Sequence, residues 1–269
     1  STLMRSSAAS DVYKRQVVSR IGGAFLDTRI SGLAVPGFVK KNGIDLSLYE
    51  KQIFDSYNDF FTRKIRAEER PVNPDANALV SPSDGKVSVY KIHENGHFLI
   101  KHTEYTLEQL LQDKKLAKRY LDGHIYVIRL TVDDYHRYCY AADGRKSEQR
   151  KIAGILHTVN PVANDVCQIY KMNSREYCLI KTEQFGTLLQ MEVGALMVGK
   201  ISNNQQGLGF VHKGVEKGRF EFGGSTIILL TQKNVVIPDR DLLEHTGSGM
   251  ETLVKMGEQI GRSANRLDA

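Results

Sequence analysis

Three short segments of the chain hold side chains able to do chemistry. The first is Ser81-Pro82-Ser83-Asp84-Gly85-Lys86, which sets a carboxylate in a turn just ahead of a strand. By itself it reads as ordinary turn chemistry, since Pro, Asp and Gly are what turns demand. The second is Asp133-Asp134-Tyr135-His136-Arg137-Tyr138-Cys139-Tyr140, at the end of the apolar run Ile125–Val132. A histidine beside an arginine and between tyrosines suits proton transfer, although a satisfied surface or core histidine is the commoner case. The third is Glu216-Lys217-Gly218-Arg219-Phe220-Glu221-Phe222-Gly223-Gly224-Ser225-Thr226, which leads into Ile227-Ile228-Leu229-Leu230. Taken alone, its glycine pair is a bulge or a hairpin turn before a fully apolar strand.

The elements that must position these groups change character along the chain. Residues 1–16 are polar, small and aperiodic, and are expected to be a non-native leader. Residues 17–70 read as helical and membrane-facing or core-covering. Ser47-Leu48-Tyr49-Glu50 and Ser56-Tyr57-Asn58-Asp59 fit helix capping boxes there. Residues 71–269 are expected to form the β-rich catalytic domain, and from residue 78 short β-branched and aromatic runs alternate with Gly, Asn and Asp at about ten-residue spacing. They are 86–92, 97–101, 125–132, 151–159, 176–181, 187–193, 196–201, 219–222 and 226–231. One helical insert, 106–121, opens with Thr106-Leu107-Glu108-Gln109. The expected fold is α+β and mainly β: an antiparallel barrel or sandwich catalytic core, with an N-terminal helical cap and one helical insert.

Composition narrows the function. The chain of 269 residues carries a net charge of +6, of which residues 1–16 contribute +2. The remaining +4 permits attraction to an anionic membrane but is too weak to argue for nucleic-acid binding. No window of about 18 apolar residues exists to form a spanning helix, and residues 1–20 lack the apolar core of a signal peptide. Three cysteines without a CxxC pair argue against a disulfide framework or a cysteine-rich zinc site.

Together the three segments resemble the phosphatidylserine decarboxylase family of self-processing, pyruvoyl-dependent enzymes. The resemblance runs from about Asn58 to Arg262. It is anchored by Asn58-Asp59-Phe60-Phe61-Thr62-Arg63-Lys64, Arg70-Pro71-Val72, the Asp84 turn, Tyr135-His136-Arg137, Val159-Asn160-Pro161, Val193-Gly194-Ala195 with Val198-Gly199, and Lys213 through Thr226. It implies that Ser225 attacks the Gly224 carbonyl, that an ester forms, and that β-elimination frees a β chain, 1–224, from an α chain, 225–269. Hydrolysis then leaves a pyruvoyl group at residue 225. This covalent group, with no PLP and no metal, would form a Schiff base with the amine of phosphatidylserine. The product would be phosphatidylethanolamine and CO2.

The resemblance further implies that Asp84 orients the base and that His136 delivers a proton to the substrate. Many family members place the base three positions after the His136 equivalent, where this chain has Cys139. A thiol of ordinary pKa is a poor replacement. His157, in Leu156-His157-Thr158-Val159, is the preferred substitute, and His136 doing both jobs is the alternative. The implied partners are phosphatidylserine, an anionic membrane surface and the chain's own two fragments as a heterodimer, with dimerisation of that unit open. The implied location is peripheral, on the cytoplasmic face of the cell membrane; Arg63, Lys64 and Arg66 could meet lipid phosphates. Three rival readings are a soluble pyruvoyl-dependent decarboxylase of another amino acid, an unprocessed lipid-binding protein, and a zinc hydrolase built from Asp84, His136 and His157. The last lacks HxxxH or HxH spacing.

Overall fold

The structure, a computed structural model, describes residues 25–100, 103–153, 174–194, 200–221 and 225–264. Its centre is a nine-stranded antiparallel sheet. The strand order is Gly209–Val211, Gly144–Lys146, Arg175–Lys181, Thr187–Val193, Ser225–Thr231, His124–Leu130, Gly85–Lys91 and Thr252–Val254, with Arg150–Ile152 also pairing with Arg175–Lys181. Ser225–Thr231 lies in the middle and every residue in it is buried. That burial explains its unbroken apolar run: with both faces covered, no polar alternation is needed.

The two faces of this sheet carry different layers. One packs against two three-stranded sheets. The first joins Ile201–Asn203, Glu216–Phe220 and Arg137–Cys139; the second joins Ala78–Val80, Gln259–Ser263 and Val236–Pro238. Tyr126, Ile128, Leu188, Ile227 and Leu229 meet Tyr138, Phe220, Leu79, Val236 and Ile260 in that core. The other face, with Val127, Leu189, Met191, Ile228 and Leu230, is covered by the helical insert and by the His97–Ile100/Thr103–Thr106 hairpin. The insert is Leu107–Leu111, Lys114–Ala117 and a 3-10 turn at Lys118–Tyr120. Its expected start is realised: Thr106 Oγ1 accepts from Gln109 N at 3.2 Å.

The architecture is therefore mainly β with helices, as expected, but the described strands stack as open sheets and do not close into a barrel. In the N-terminal region, short helices at Arg29–Gly32, Val35–Asn42 and Tyr57–Phe61 share a small core of Val35, Tyr57, Phe60 and Phe61. The Ser56 cap forms, accepting from Asp59 N at 3.0 Å. The Ser47 box does not. Ser47 lies inside a single 3-10 turn, Leu46–Leu48, and Asp45 caps it instead, because its carboxylate reaches Ser47 N at 2.9 Å. The helix Arg240–Gly247 and the strands Val236–Pro238, Thr252–Val254 and Gln259–Ser263 were not expected from the sequence; at three to eight residues each, they carry too little periodicity to stand out.

Candidate active site

Strand register brings two of the three segments to one end of the central sheet. Ser225 heads its strand and pairs with Leu130, while Lys86 pairs with Arg129 on the far side of that same strand. Gly85 thus falls beside Leu130, and the backbones of Ser225 and Gly85 stand two strand spacings apart, roughly 10 Å. Gly85 adopts φ +149°, and a Cβ there would stand 2.8 Å from the Arg129 carbonyl oxygen. Only glycine lets the turn carrying Asp84 approach so closely.

The Asp84 carboxylate is fixed rather than free to swing. Arg70 grips it with both arms of its guanidinium, Nε to Oδ1 at 2.8 Å and Nη2 to Oδ2 at 2.5 Å, and Met256 N donates to Oδ1 at 2.9 Å. Both side chains are under 10% exposed. A planar fork on a buried carboxylate is the strong form of this pair. Arg70 was visible in the sequence only as part of Arg70-Pro71-Val72; nothing in its spacing pointed to Asp84.

His136 is fully buried. Its ring centroid is 3.9 Å from that of Phe61, and its backbone oxygen accepts from Phe220 N at 2.9 Å, five residues ahead of Ser225. Nδ1 sits 2.9 Å from the Asp134 carbonyl oxygen. A carbonyl only accepts, so Nδ1 carries the proton and Nε2 presents a bare lone pair. That Nε2 is buried with no partner among the described residues. Burial lowers the ring's pKa to about 3, which keeps it neutral near pH 7.

The N-terminal helices hold this loop in place. Arg63 donates from Nη2 to the carbonyls of Asp133 and Asp134 at 2.9 and 3.3 Å, and Arg137 Nε donates to Thr62 O at 2.9 Å. Arg63 is buried and lies over the rings of Phe60 and Tyr49, so it faces the loop and not lipid phosphates, contrary to the expectation above. Lys64 pairs with Glu50 at the surface, and Arg66 is exposed. Phe61, Thr62 and Arg63 are thus positioning residues for His136.

Cys139 is joined to the Asp84 turn: its N–H donates to Pro82 O at 2.8 Å and its thiol faces Ser81 O at 3.9 Å. Burial pushes the thiol up to about 12, so it stays protonated and cannot serve as a base. His157, Gly223 and Gly224 lie outside the described residues.

One buried group was missed. Lys217 and Glu192, both fully buried, form an ion pair at 2.6 Å. Asn203 accepts from Lys217 at 2.8 Å and donates to Glu176 and Glu192 at 2.9 and 3.3 Å. The available signal was polar Gln190 and Glu192 at two-residue spacing inside the apolar strand Thr187–Val193, which marks a polar stripe on one face. Among the described residues no group of three or more His, Cys, Asp or Glu is arranged to hold a metal.

Comparison with known proteins shows the family of the chain. The chain is 43% identical over 248 residues to phosphatidylserine decarboxylase proenzyme 2 of Clostridium acetobutylicum, covering 92% of this chain and 84% of the relative. It is 40% identical to the phosphatidylserine decarboxylase proenzyme of Fusobacterium nucleatum, over 94% and 86% of the two chains. The class is that of the carboxy-lyases made as proenzymes. Residues 57–262 match the family described as phosphatidylserine decarboxylase, and the chain belongs to that family.

Proposed function

We propose that this chain decarboxylates phosphatidylserine to phosphatidylethanolamine after cutting itself between Gly224 and Ser225. The observation that carries the reading is the placement of Ser225: buried, at the head of the central strand, with the Asp84 turn at the same end of the sheet. Ser225 is the residue that would become the pyruvoyl group, and a serine following two glycines suits it, since the attacked carbonyl must be closely approached. When formed, that group supplies an electron sink for the carbon that loses CO2. His136, whose Nε2 is buried without a partner among the described residues, is assigned delivery of a proton to that carbon, the role the resemblance implies. Asp84, clamped by Arg70, fixes a negative charge at the same end of the sheet.

Cleavage would leave the two fragments together. The strands Ser225–Thr231, Val236–Pro238, Thr252–Val254 and Gln259–Ser263 all pair with strands of 1–224 or with each other, so separation would strip the middle of the sheet. The membrane-facing role falls to the N-terminal helices. Phe25, Ile30, Leu33 and Ile53 are exposed there, beside exposed Arg29, Lys40 and Lys41, a mixture that suits a peripheral position on an anionic lipid surface. We place that surface on the cytoplasmic face. His157, the base expected from the sequence, is tested directly: slowed cleavage in a folded His157→Ala would give it the Ser225 proton.

The test is the intact mass of freshly purified chain beside Ser225→Ala. Fragments 1–224 and 225–269, the second without a free amine at its start, are expected in the first sample only. An uncut chain in both would overturn self-processing and favour an unprocessed lipid-binding protein. Release of CO2 from phosphatidylserine vesicles but not from free serine would support the lipid substrate; the reverse would favour a soluble amino acid.

A further inference from the structure

We infer that Glu192 is the group that takes the Ser225 hydroxyl proton during self-cleavage, an assignment that rests on the self-processing reading above. Glu192 pairs with Ile227 across the Thr187–Val193/Ser225–Thr231 ladder. Side chains alternate faces along a strand, so Ser225, Ile227 and Glu192 share one face. Extending the ladder by one pair sets Gly194 opposite Ser225. Glycine leaves that position empty, and Glu192 is the first side chain of its strand on the Ser225 side. The two residues are diagonal neighbours, roughly 7–8 Å apart at the backbone, within reach of a long side chain.

The carboxylate has one occupied and one vacant oxygen. Oε2 accepts from Lys217 at 2.6 Å, Gln149 at 3.2 Å and Asn203 at 3.3 Å. Oε1 is buried with no partner among the described residues. A buried acceptor left unpaired is costly in a merely structural network. A buried ion pair is weak evidence for a purely structural role, because apolar replacements of such pairs are commonly neutral or stabilising. Lys217 lies on Glu216–Phe220, the strand that runs toward the cleaved bond. Burial raises the pKa of Glu192, chiefly by desolvation, which makes it a stronger base than a surface carboxylate.

The step balances. Oε1 takes the hydroxyl proton, Oγ bonds to the Gly224 carbonyl carbon, and negative charge passes from Glu192 to the carbonyl oxygen. The Gly224–Ser225 C–N bond then breaks, and Glu192 returns the proton to the departing nitrogen. The ester that results is what β-elimination consumes. Glu192 thereby supplies the function that a protonated Cys139 cannot.

The experiment times cleavage in chain freshly made by cell-free translation, for the parent, Glu192→Gln/Lys217→Met, Glu192→Asp and His157→Ala. Melting curves are taken in the Ser225→Ala background, so that uncut chains are compared. Glu192→Gln/Lys217→Met removes the carboxylate and its counter-charge together; it is expected to fold and to cleave at least about 100-fold more slowly, the scale of a lost general base. Glu192→Asp keeps the charge but withdraws it by one methylene, and at least a tenfold slowing is expected. His157→Ala should cleave at the parental rate. Cleavage of either Glu192 variant within threefold of the parent overturns the assignment, as does loss of cleavage in a folded His157→Ala with both Glu192 variants at parental speed. An uncut parent instead overturns the self-processing reading itself, so the two failures are distinct.

Discussion

At the scale of single residues, burial decides what each titratable group can do. Cys139 is held as a thiol by desolvation, so it contributes nothing as a base. Cys139→Ala is therefore expected to self-cleave within threefold of the parental rate, as read from the time course of fragment appearance; a large slowing would return the thiol to the mechanism. His136 is held neutral by the same cause. Its folded-state pKa, about 3, lies below the unfolded value of about 6.5, so the unfolded chain binds the extra proton. The stability tied to the neutral ring is present above pH 6.5 and is lost as pH falls from there toward 3. Between pH 6.5 and 4.5 this amounts to on the order of 2 kcal/mol. Urea unfolding of parent and His136→Gln across that range should show a shallower decline in the variant. An unchanged pH slope would mean that the ring is already charged when folded.

At the scale of elements, the site depends on close approaches that single side chains can spoil. Gly85 lets the Asp84 turn lie against Arg129, whose carbonyl oxygen would be 2.8 Å from a new Cβ. Gly85→Ala should push that turn away from the Ser225 strand and slow self-cleavage by tenfold or more, with a Tm loss of several degrees. Arg70 is the companion case. Its removal leaves the Asp84 carboxylate buried with only the Met256 N–H, and Arg70→Ala is expected to lose on the order of 3 kcal/mol in denaturant unfolding. The loop bearing His136 has its own brace in Arg63, which donates to two successive carbonyls there. Arg63 and Arg70 are thus interior tethers, although Arg63 was expected at the lipid-facing surface.

At the scale of the whole molecule, the N-terminal region has two sides with different work. Its buried side, through Phe61, Thr62 and Arg63, braces the His136 loop. Its outer side exposes Leu33 and Ile53 at 82% and 83% beside basic residues. A Cβ on Gly32 would lie only 3.1 Å from the Asp55 carbonyl oxygen, and this close backbone crossing brings the chain near Leu33 and Ile53 to one flank. Leu33→Asp/Ile53→Asp is expected to weaken sedimentation with anionic vesicles at least tenfold while leaving self-cleavage unchanged. Binding of the parent should also fall as salt rises. Unaltered vesicle binding in the double variant would move the lipid contact elsewhere on the molecule.

Local pattern was enough for much of this protein. The apolar run of Ile227–Leu230, the turn at Asp84-Gly85, the Thr106 and Ser56 caps and the β-rich texture all follow from residue types at short spacing, and the motif order led to the family. The partners of the motif residues were not legible. Arg70 meets Asp84 across 14 positions, Arg63 meets Asp134 across 71 and Lys217 meets Glu192 across 25. No local rule encodes such pairings, because they arise only once strand register and layer packing are set. Burial is likewise a property of the finished fold. The same imidazole or thiol is an ordinary titrating group on a surface, and only the tertiary structure withdraws water from His136 and Cys139 and so decides which of them can exchange a proton.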